Sequence, residues 1–335
     1  LRSSQTNRWK TCGNKGVCRC GDRELKHSMI QIYGAGVAGT FLYYLLFKNG
    51  YRVSIFDVRK SPDCRCGWGI AYKEARELYS EIEVNLDDFI LTRPEKVVVN
   101  GIELKNNGIA IFDKLKLLKE LWEGIEFKKG EAKLIVDATG TKREFLPKIA
   151  NDRLVPTLQF MERHENVENI YIHFERHGYA WAFPLGEYWH IGAGSIFENK
   201  IPELIEKLRL KFGFERKESV CSCKAKIRML PPSKCRPFVH RNVVGVGEAI
   251  GCVSGAGEGN APALKCAKIL YECIENLEDY ESRILTELKW VEREQRFLES
   301  VLRGLPAIHL LFRIIPHESK RLVKHSILDF FRVFA

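Results

Sequence analysis

The stretch MIQIYGAGVAGTFLYYLLFKNGYRVSIFDVRK, residues 29–60, constrains the fold of this chain more than any other. Ile30, Ile32 and Tyr33 read as a short buried strand. Gly34-Ala35-Gly36-Val37-Ala38-Gly39 follows without a gap, and an apolar helix runs to about Lys48. Asn49-Gly50 ends that helix, and Arg52 to Phe56 form a second strand closing on Asp57. Each glycine has a mechanical reason. Gly34 makes the tight turn, Gly36 lets backbone approach a pyrophosphate, and Gly39 lets helix and strand pack closely. A diphosphate then lies on the helix N-terminus, where free N–H groups and the dipole favour an anion. Asp57 stands 18 residues past Gly39, the distance at which an acid holds a ribose hydroxyl pair. Ala38 and Val58 join these residues in the expected cofactor contact.

Two later stretches point beyond a simple nicotinamide site. AKLIVDATGTK (132–142) is an apolar strand ending in Asp137-Ala138-Thr139-Gly140. RNVVGVGEAIGCVSGAGEGNAPALKCAKIL (241–270) reads as a strand, then Gly247-Glu248, a glycine-rich loop, and a helix beginning near Ala261. Glu248 is placed to bond a ribityl hydroxyl. The loop residues Gly255, Gly257, Gly259 and Asn260 are placed to offer N–H groups to a flavin N1–O2 edge at a helix N-terminus. With Ala138 and Gly140 they favour FAD over NAD; the plainer reading is two ordinary strand-to-helix turns.

Composition narrows the partners. Of the net charge of +10, half falls in residues 1–28, which hold seven Lys and Arg against Asp22 and Glu24. No basic stripe with interleaved aromatics follows, so nucleic acid is not an expected partner. Residues 1–28 lack an apolar run, and the native start is expected at Met29, with the leading segment a linker, an upstream mis-start or a flexible tail. Eleven cysteines include the pairs Cys18/Cys20, Cys64/Cys66 and Cys221/Cys223. None has zinc-ribbon or finger spacing, so no metal is expected, and the odd count fits free thiols in a reducing cytoplasm.

The run YAWAFPLGEYWHIGAG (179–194) sets Tyr179, Trp181, Phe183 and Pro184 within six positions and ends on Gly192 and Gly194. Two readings stay open on these residues alone: a hairpin turning near Gly186, or the wall of a long apolar pocket over a flat cofactor.

The order GAGVAG, acid, CG, DATG, YxWxFP, GE resembles the geranylgeranyl reductase family of FAD-dependent flavoproteins, nearest to archaeal reductases of membrane-lipid isoprenoid chains. The resemblance covers roughly residues 29–275. It implies an α/β fold: a Rossmann-type FAD-binding domain of the p-hydroxybenzoate-hydroxylase-like flavoprotein fold, an inserted antiparallel-sheet substrate domain and a helical C-terminus. The expected division is 29–72, 97–145 and 237–275 for the FAD-binding domain, 73–96 and 146–236 for the substrate domain, and 276–335 for the C-terminal helices. Tyr179, Trp181, Phe183, Pro184, Gly192 and Gly194 match the family's most specific motif and are expected to hold a polyprenyl chain. Cys66 and Gly67 match its Cys-Gly loop. The resemblance implies that Cys66 approaches the flavin's reacting face, and Cys66 and Tyr179 are expected catalytic groups.

Two departures are visible. The family's Gly-Asp reads Gly247-Glu248 here, and the stretch between Cys66 and Asp137 is short. The expected activity is reduction of carbon–carbon double bonds in polyprenyl lipids. A flavin monooxygenase or other flavin oxidoreductase on an apolar small molecule is the alternative, and a non-catalytic flavin- or lipid-binding protein a third reading. Neither NAD(P)H nor ferredoxin is singled out as electron donor. Residues 319–334 place Val323, Ile327, Phe330, Phe331 and Phe334 at helical spacing. That is expected to be either a packed helix or one lying on an anionic membrane surface. A cytoplasmic enzyme, peripheral on the membrane, is the expected setting.

Overall fold

Ile30–Tyr33 becomes the inner strand of a five-stranded sheet ordered Val239–His240, Val243–Gly245, Leu134–Asp137, Ile30–Tyr33, Val53–Phe56. All neighbours run parallel except the Val239–His240 edge. The computed structural model describes residues 24–63, 67–164 and 168–304, together with Ile314 and Val323–Lys324. Ile30 and Ile32 are fully buried, as an inner parallel strand requires. Gln31 between them is buried too, and its amide is satisfied: Oε1 accepts from Ser54 Oγ (2.8 Å) and the Gly130 N–H (2.9 Å). The helices Val37–Lys48 and Asn260–Cys273 pack on each other beside this sheet.

A second sheet has eight strands, ordered Ser219–Arg228, Leu154–Arg163, Tyr188–Ser195, Gly178–Pro184, Ile170–Glu175, Lys96–Val99, Ile102–Asn106, Val323–Lys324. It is antiparallel but for the Ile170–Glu175 and Lys96–Val99 pair. Here the structure corrects the expected boundary at 97. The β-branched run Val97-Val98-Val99 pairs with Ile170–Ile172, so residues 96–106 belong to this sheet and not to the dinucleotide half. Gly69–Ala71, Ile109–Phe112 and Ile90–Thr92 form a separate three-stranded sheet.

The alternation in YAWAF divides the large sheet into two faces. Ala180 and Ala182, with Trp189, Ile191 and Ala193, bury against the helix Ile201–Phe212. Tyr179, Trp181 and Phe183 point the other way. Beneath the helix, Arg209 and Glu162 form a buried ion pair at 2.6 Å. The helices Tyr280–Glu287 and Lys289–Leu302 bear out the helical character expected after 276. Most of 319–334 lies outside the described residues. Within it, Val323–Lys324 form a strand against Ile102–Asn106 rather than helix.

Removing one partner of the Arg209–Glu162 pair strands a buried charge. Glu162→Leu is expected to cost about 3–5 kcal/mol in urea denaturation, and adding Arg209→Leu to recover most of it.

Candidate functional site

The three fingerprint glycines separate cleanly by what surrounds them. Gly34 has φ +101°, and a Cβ there would meet the Ala138 carbonyl oxygen at 2.3 Å. A Cβ at Gly39 would lie 1.9 Å from the Gly34 oxygen, so the helix rests directly on the turn. At Gly36 nothing lies within 4 Å. That is the space a pyrophosphate needs, and the helix starting at Val37 has neither a side-chain cap nor an acid in its first turn. The helix Asn260–Cys273 likewise starts at Gly259 without a side-chain cap or first-turn acid. Gly247 (φ +66°) joins the two: its Cβ position is 3.0 Å from the Ala38 methyl.

Asp57 stands where expected, but its lone pairs are already in use. Oδ2 accepts from the Ala35 N–H and Arg59 Nη2 (both 2.8 Å), and Oδ1 from the Arg59 N–H and Nε (both 2.9 Å). Burial pushes this carboxyl up, but the Arg59 guanidinium and the two amides outweigh it and hold it below the ordinary range. Arg59 also bonds Asp63 (2.9 Å) and stacks over Trp122 (5.5 Å), whose indole donates to the Ala35 carbonyl (2.9 Å). A ribose would therefore have to displace Arg59. Val58 beside it is 77% exposed.

Glu248 sits beside Gly140, its Oε2 3.7 Å from the Gly140 Cβ position. Its Oε1 accepts the Arg228 N–H (2.8 Å), a reach that the extra methylene over Asp makes possible. The Arg228 guanidinium donates to the Glu248 carbonyl (2.6 Å), the Thr141 carbonyl (2.7 Å) and both Asp152 oxygens (2.9 Å each). One arginine thus ties the large sheet to the dinucleotide half. Burial raises the Glu248 carboxyl.

Sequence reasoning missed Lys114. It is 3% exposed, and its Nζ has no partner. Its charge reaches both Glu248 and His190. The only signal was a lysine at the first position of a helix, one residue past an apolar strand. His190 lies in the aromatic run. It faces Phe183 across the hairpin, its ring is 6.0 Å from Trp68, and its Nδ1 is buried and unpartnered. Burial, with Lys114 nearby, lowers its pKa to about 3. The indole Nε1 atoms of Trp68 and Trp181 are also buried without partners. Four orphaned polar atoms in one region are unusual, and a bound ligand is one way to satisfy them.

The aromatic run is both a hairpin and a wall. Gly178–Pro184 pairs with Tyr188–Ser195 across a turn where Gly186 has φ +77°. The rings of Tyr179, Trp181 and Phe183 follow one another at 5.5 and 6.5 Å. Gly192 is required by the wall itself, since a Cβ there would lie 2.6 Å from the Trp181 ring. Gly194 has the Thr157 methyl at 3.1 Å from its Cβ position. Both glycines are explained by packing across the strands. The Pro184 carbonyl accepts Thr92 Oγ1 (3.0 Å), closing the wall against the small sheet.

Two expected roles are altered. The Gly255 N–H donates to Glu294 (2.9 Å) and the Gly257 N–H to the Ser254 carbonyl (3.0 Å), so neither is available to a flavin edge. Asn260 instead ties this loop to the Cys-Gly loop through the carbonyls of Gly67 (3.1 Å) and Gly69 (2.9 Å). Tyr179 donates to the Ala256 carbonyl (3.0 Å), and burial raises its phenol, which makes it a poor proton donor. Cys64 and Cys66 lie outside the described residues. No group of three or more His, Cys, Asp or Glu among the described residues is arranged to hold a metal.

Gly36→Val is expected to leave the apoprotein's melting temperature near wild type while abolishing flavin content. Gly39→Val should unfold the protein, because its Cβ meets backbone. Differential scanning fluorimetry with flavin absorbance separates the two. For His190, the unfolded chain takes up a proton near 6.5, and the folded protein refuses it until about 3. Stability should therefore fall as pH drops through that window, by up to about 1.4 kcal/mol per unit, and His190→Gln should flatten the slope.

No family model matches the chain. An uncharacterized protein of Methanocaldococcus jannaschii is 24% identical over 88% of this chain and 99% of its own. A flavin-dependent halogenase from Brevundimonas has a TM-score of 0.65 at 10% identity, covering 93% of this chain and 90% of that one. A flavoprotein/dehydrogenase from Cytophaga hutchinsonii gives 0.63 at 15%, covering 83% and 86%. A probable FAD-dependent monooxygenase from Pseudomonas aeruginosa gives 0.61 at 16%, covering 87% and 100%. At these identities the likeness is one of architecture: the chain has the p-hydroxybenzoate-hydroxylase-like flavoprotein fold.

Proposed function

We propose that this protein is an FAD-dependent oxidoreductase that reduces carbon–carbon double bonds of polyprenyl chains. FAD fits the residues present. Gly36 leaves an open cradle, two helix N-termini lack caps, and the unpartnered Lys114 ammonium stands near Glu248. Gly34, Gly36 and Gly39 would hold the pyrophosphate, with Glu248 and Gly140 beside the ribityl chain. When bound and reduced, FAD supplies a hydride equivalent to one alkene carbon.

The observation that carries the substrate reading is the unbroken aromatic wall of Tyr179, Trp181 and Phe183. An alkene is barely polarised, so binding must come from apolar surface, exclusion of water and alignment. Trp181 is 7% exposed and Phe183 reaches the strand at Gly69, whose Cβ position lies 4.0 Å from its ring. Tyr179 holds the 254–257 loop against the wall rather than giving a proton. Cys66, beside Gly67, remains the side chain proposed to supply one. A second reading, oxygen-dependent hydroxylation of an apolar molecule, is favoured by the monooxygenase and halogenase among the structural neighbours.

No helix among the described residues is long and apolar enough to cross a membrane. A polyprenyl lipid would be met at a membrane surface, and the segment 319–334 is the part proposed to touch it.

Anaerobic reduction followed by reoxidation with a polyprenyl lipid tests the function, with the expected product gaining two hydrogens per bond. Substrate-stimulated oxygen uptake with a hydroxylated product supports the second reading instead. Trp181→Ala and Phe183→Ala are each expected to keep flavin content but weaken binding of long substrates by a few kcal/mol, roughly a hundredfold. Turnover per bound flavin, measured beside the melting temperature, checks this; unchanged turnover in both variants defeats the wall as a substrate site.

A further inference from the structure

Where Ile170–Glu175 turns into Gly178–Pro184, the large sheet and the helix Lys289–Leu302 line an open cavity of about 450 Å³. Its apolar walls include Phe174, Tyr179, Ile196, Met229, Leu298 and Val301. Tyr179 is the shared element: its ring lines the cavity and also stands 5.5 Å from Trp181. The cavity therefore adjoins the aromatic wall at Tyr179.

Its charged lining is Arg153, Glu175, Arg176 and His177. Glu175 is already neutralised. Oε1 meets Lys207 Nζ at 2.7 Å and His173 Nε2 at 3.3 Å, and Oε2 meets His177 Nε2 at 3.1 Å. Arg153 lies 3.5 Å from Glu299, a carboxylate that also serves Lys234 (3.1 Å) and Arg303 (2.8 Å). Three cations on one acid leave positive charge in surplus, and Arg176 adds to it from the opposite strand turn. Ser195, His177 and Glu175 have the hydrogen-bond order of a hydrolytic triad, with His177 Nδ1 3.2 Å from Ser195 Oγ. Yet Ser195 is fully buried, accepts the Phe197 N–H and donates to the His177 carbonyl (both 3.0 Å). The relay fixes the turn and commits the Ser195 hydroxyl within it.

We propose that this cavity binds an amphiphile, its hydrocarbon chain between the sheet and the Lys289–Leu302 helix and its anionic head, phosphate or carboxylate, at Arg153 and Arg176. This rests on the reading of the aromatic wall as a substrate surface, and places the head of that substrate in the cavity that adjoins it at Tyr179.

Calorimetric titration of the flavin-loaded protein tests it, using dodecyl phosphate, dodecanoate, dodecanol and inorganic phosphate below micellar concentrations. Both anionic amphiphiles are expected to bind about tenfold tighter than the alcohol, and a double variant Arg153→Gln with Arg176→Gln to erase that preference. Leu298→Trp, which fills the cavity, should weaken all three chains about tenfold or more at unchanged flavin content. Val301→Phe serves the same purpose if Leu298→Trp fails to fold. Inorganic phosphate binding as tightly as dodecyl phosphate, no preference for anionic heads, or undiminished binding in the cavity-filling variant overturns the proposal. Amphiphile binding as expected without lipid-driven reoxidation of the flavin would sink the polyprenyl reading and leave the cavity assignment standing.

Discussion

The contact between Gly39 and the carbonyl of Gly34 is the constraint on which the site depends. With a Cβ position 1.9 Å from that oxygen, no other residue lets the Val37–Lys48 helix come so close to the strand that precedes it. This approach aims the uncapped helix N-terminus at the open space over Gly36. It also brings Ala138 against the turn, so that the strands ending at Tyr33 and Asp137 converge on one crevice. Asp137 takes part only as a brace: its carboxylate accepts the N–H groups of Thr139, Phe145 and Leu146 and holds the following loop in place.

Long-range polar ties join the two halves beside the apolar contact of Val155 and Met229 with Val253. Arg228 reaches from the edge strand of the large sheet to the carbonyls of Thr141 and Glu248. Tyr179 bonds the Ala256 carbonyl, and Asn260 bonds those of Gly67 and Gly69. From the far side, Gln295 and Glu294 hold Val253 and Gly255. The 252–260 loop is thus anchored on three sides, which suits a segment that must present two surfaces at once.

Between these ties lies a region of unsatisfied polarity. Buried polar atoms without partners are costly, and here Trp68, Lys114, Trp181 and His190 each keep one. Burial, and then the charge of Lys114, depress the basicity of His190, since a cation beside an imidazole disfavours a second.

The local motifs were legible from residue order alone. The fingerprint, its helix and the two flanking strands follow from spacing within some 30 residues, and so does the alternation that puts three aromatics on one face of a strand. Such patterns depend on backbone geometry that neighbours in sequence impose on each other. Everything that depended on a distant partner needed the tertiary structure. The Val97–Val99 run could not announce that Ile170–Ile172 would be its neighbour. The Gly255 amide looked free until Glu294, 39 residues on, took it. Lys114 read as an ordinary helix residue, because its meaning lies in Glu248 and His190, far along the chain. Asp57 shows the boundary within one residue: spacing placed it at the strand end, while the orientation of Arg59 and the ring of Trp122, 65 residues away, decided which groups its oxygens hold.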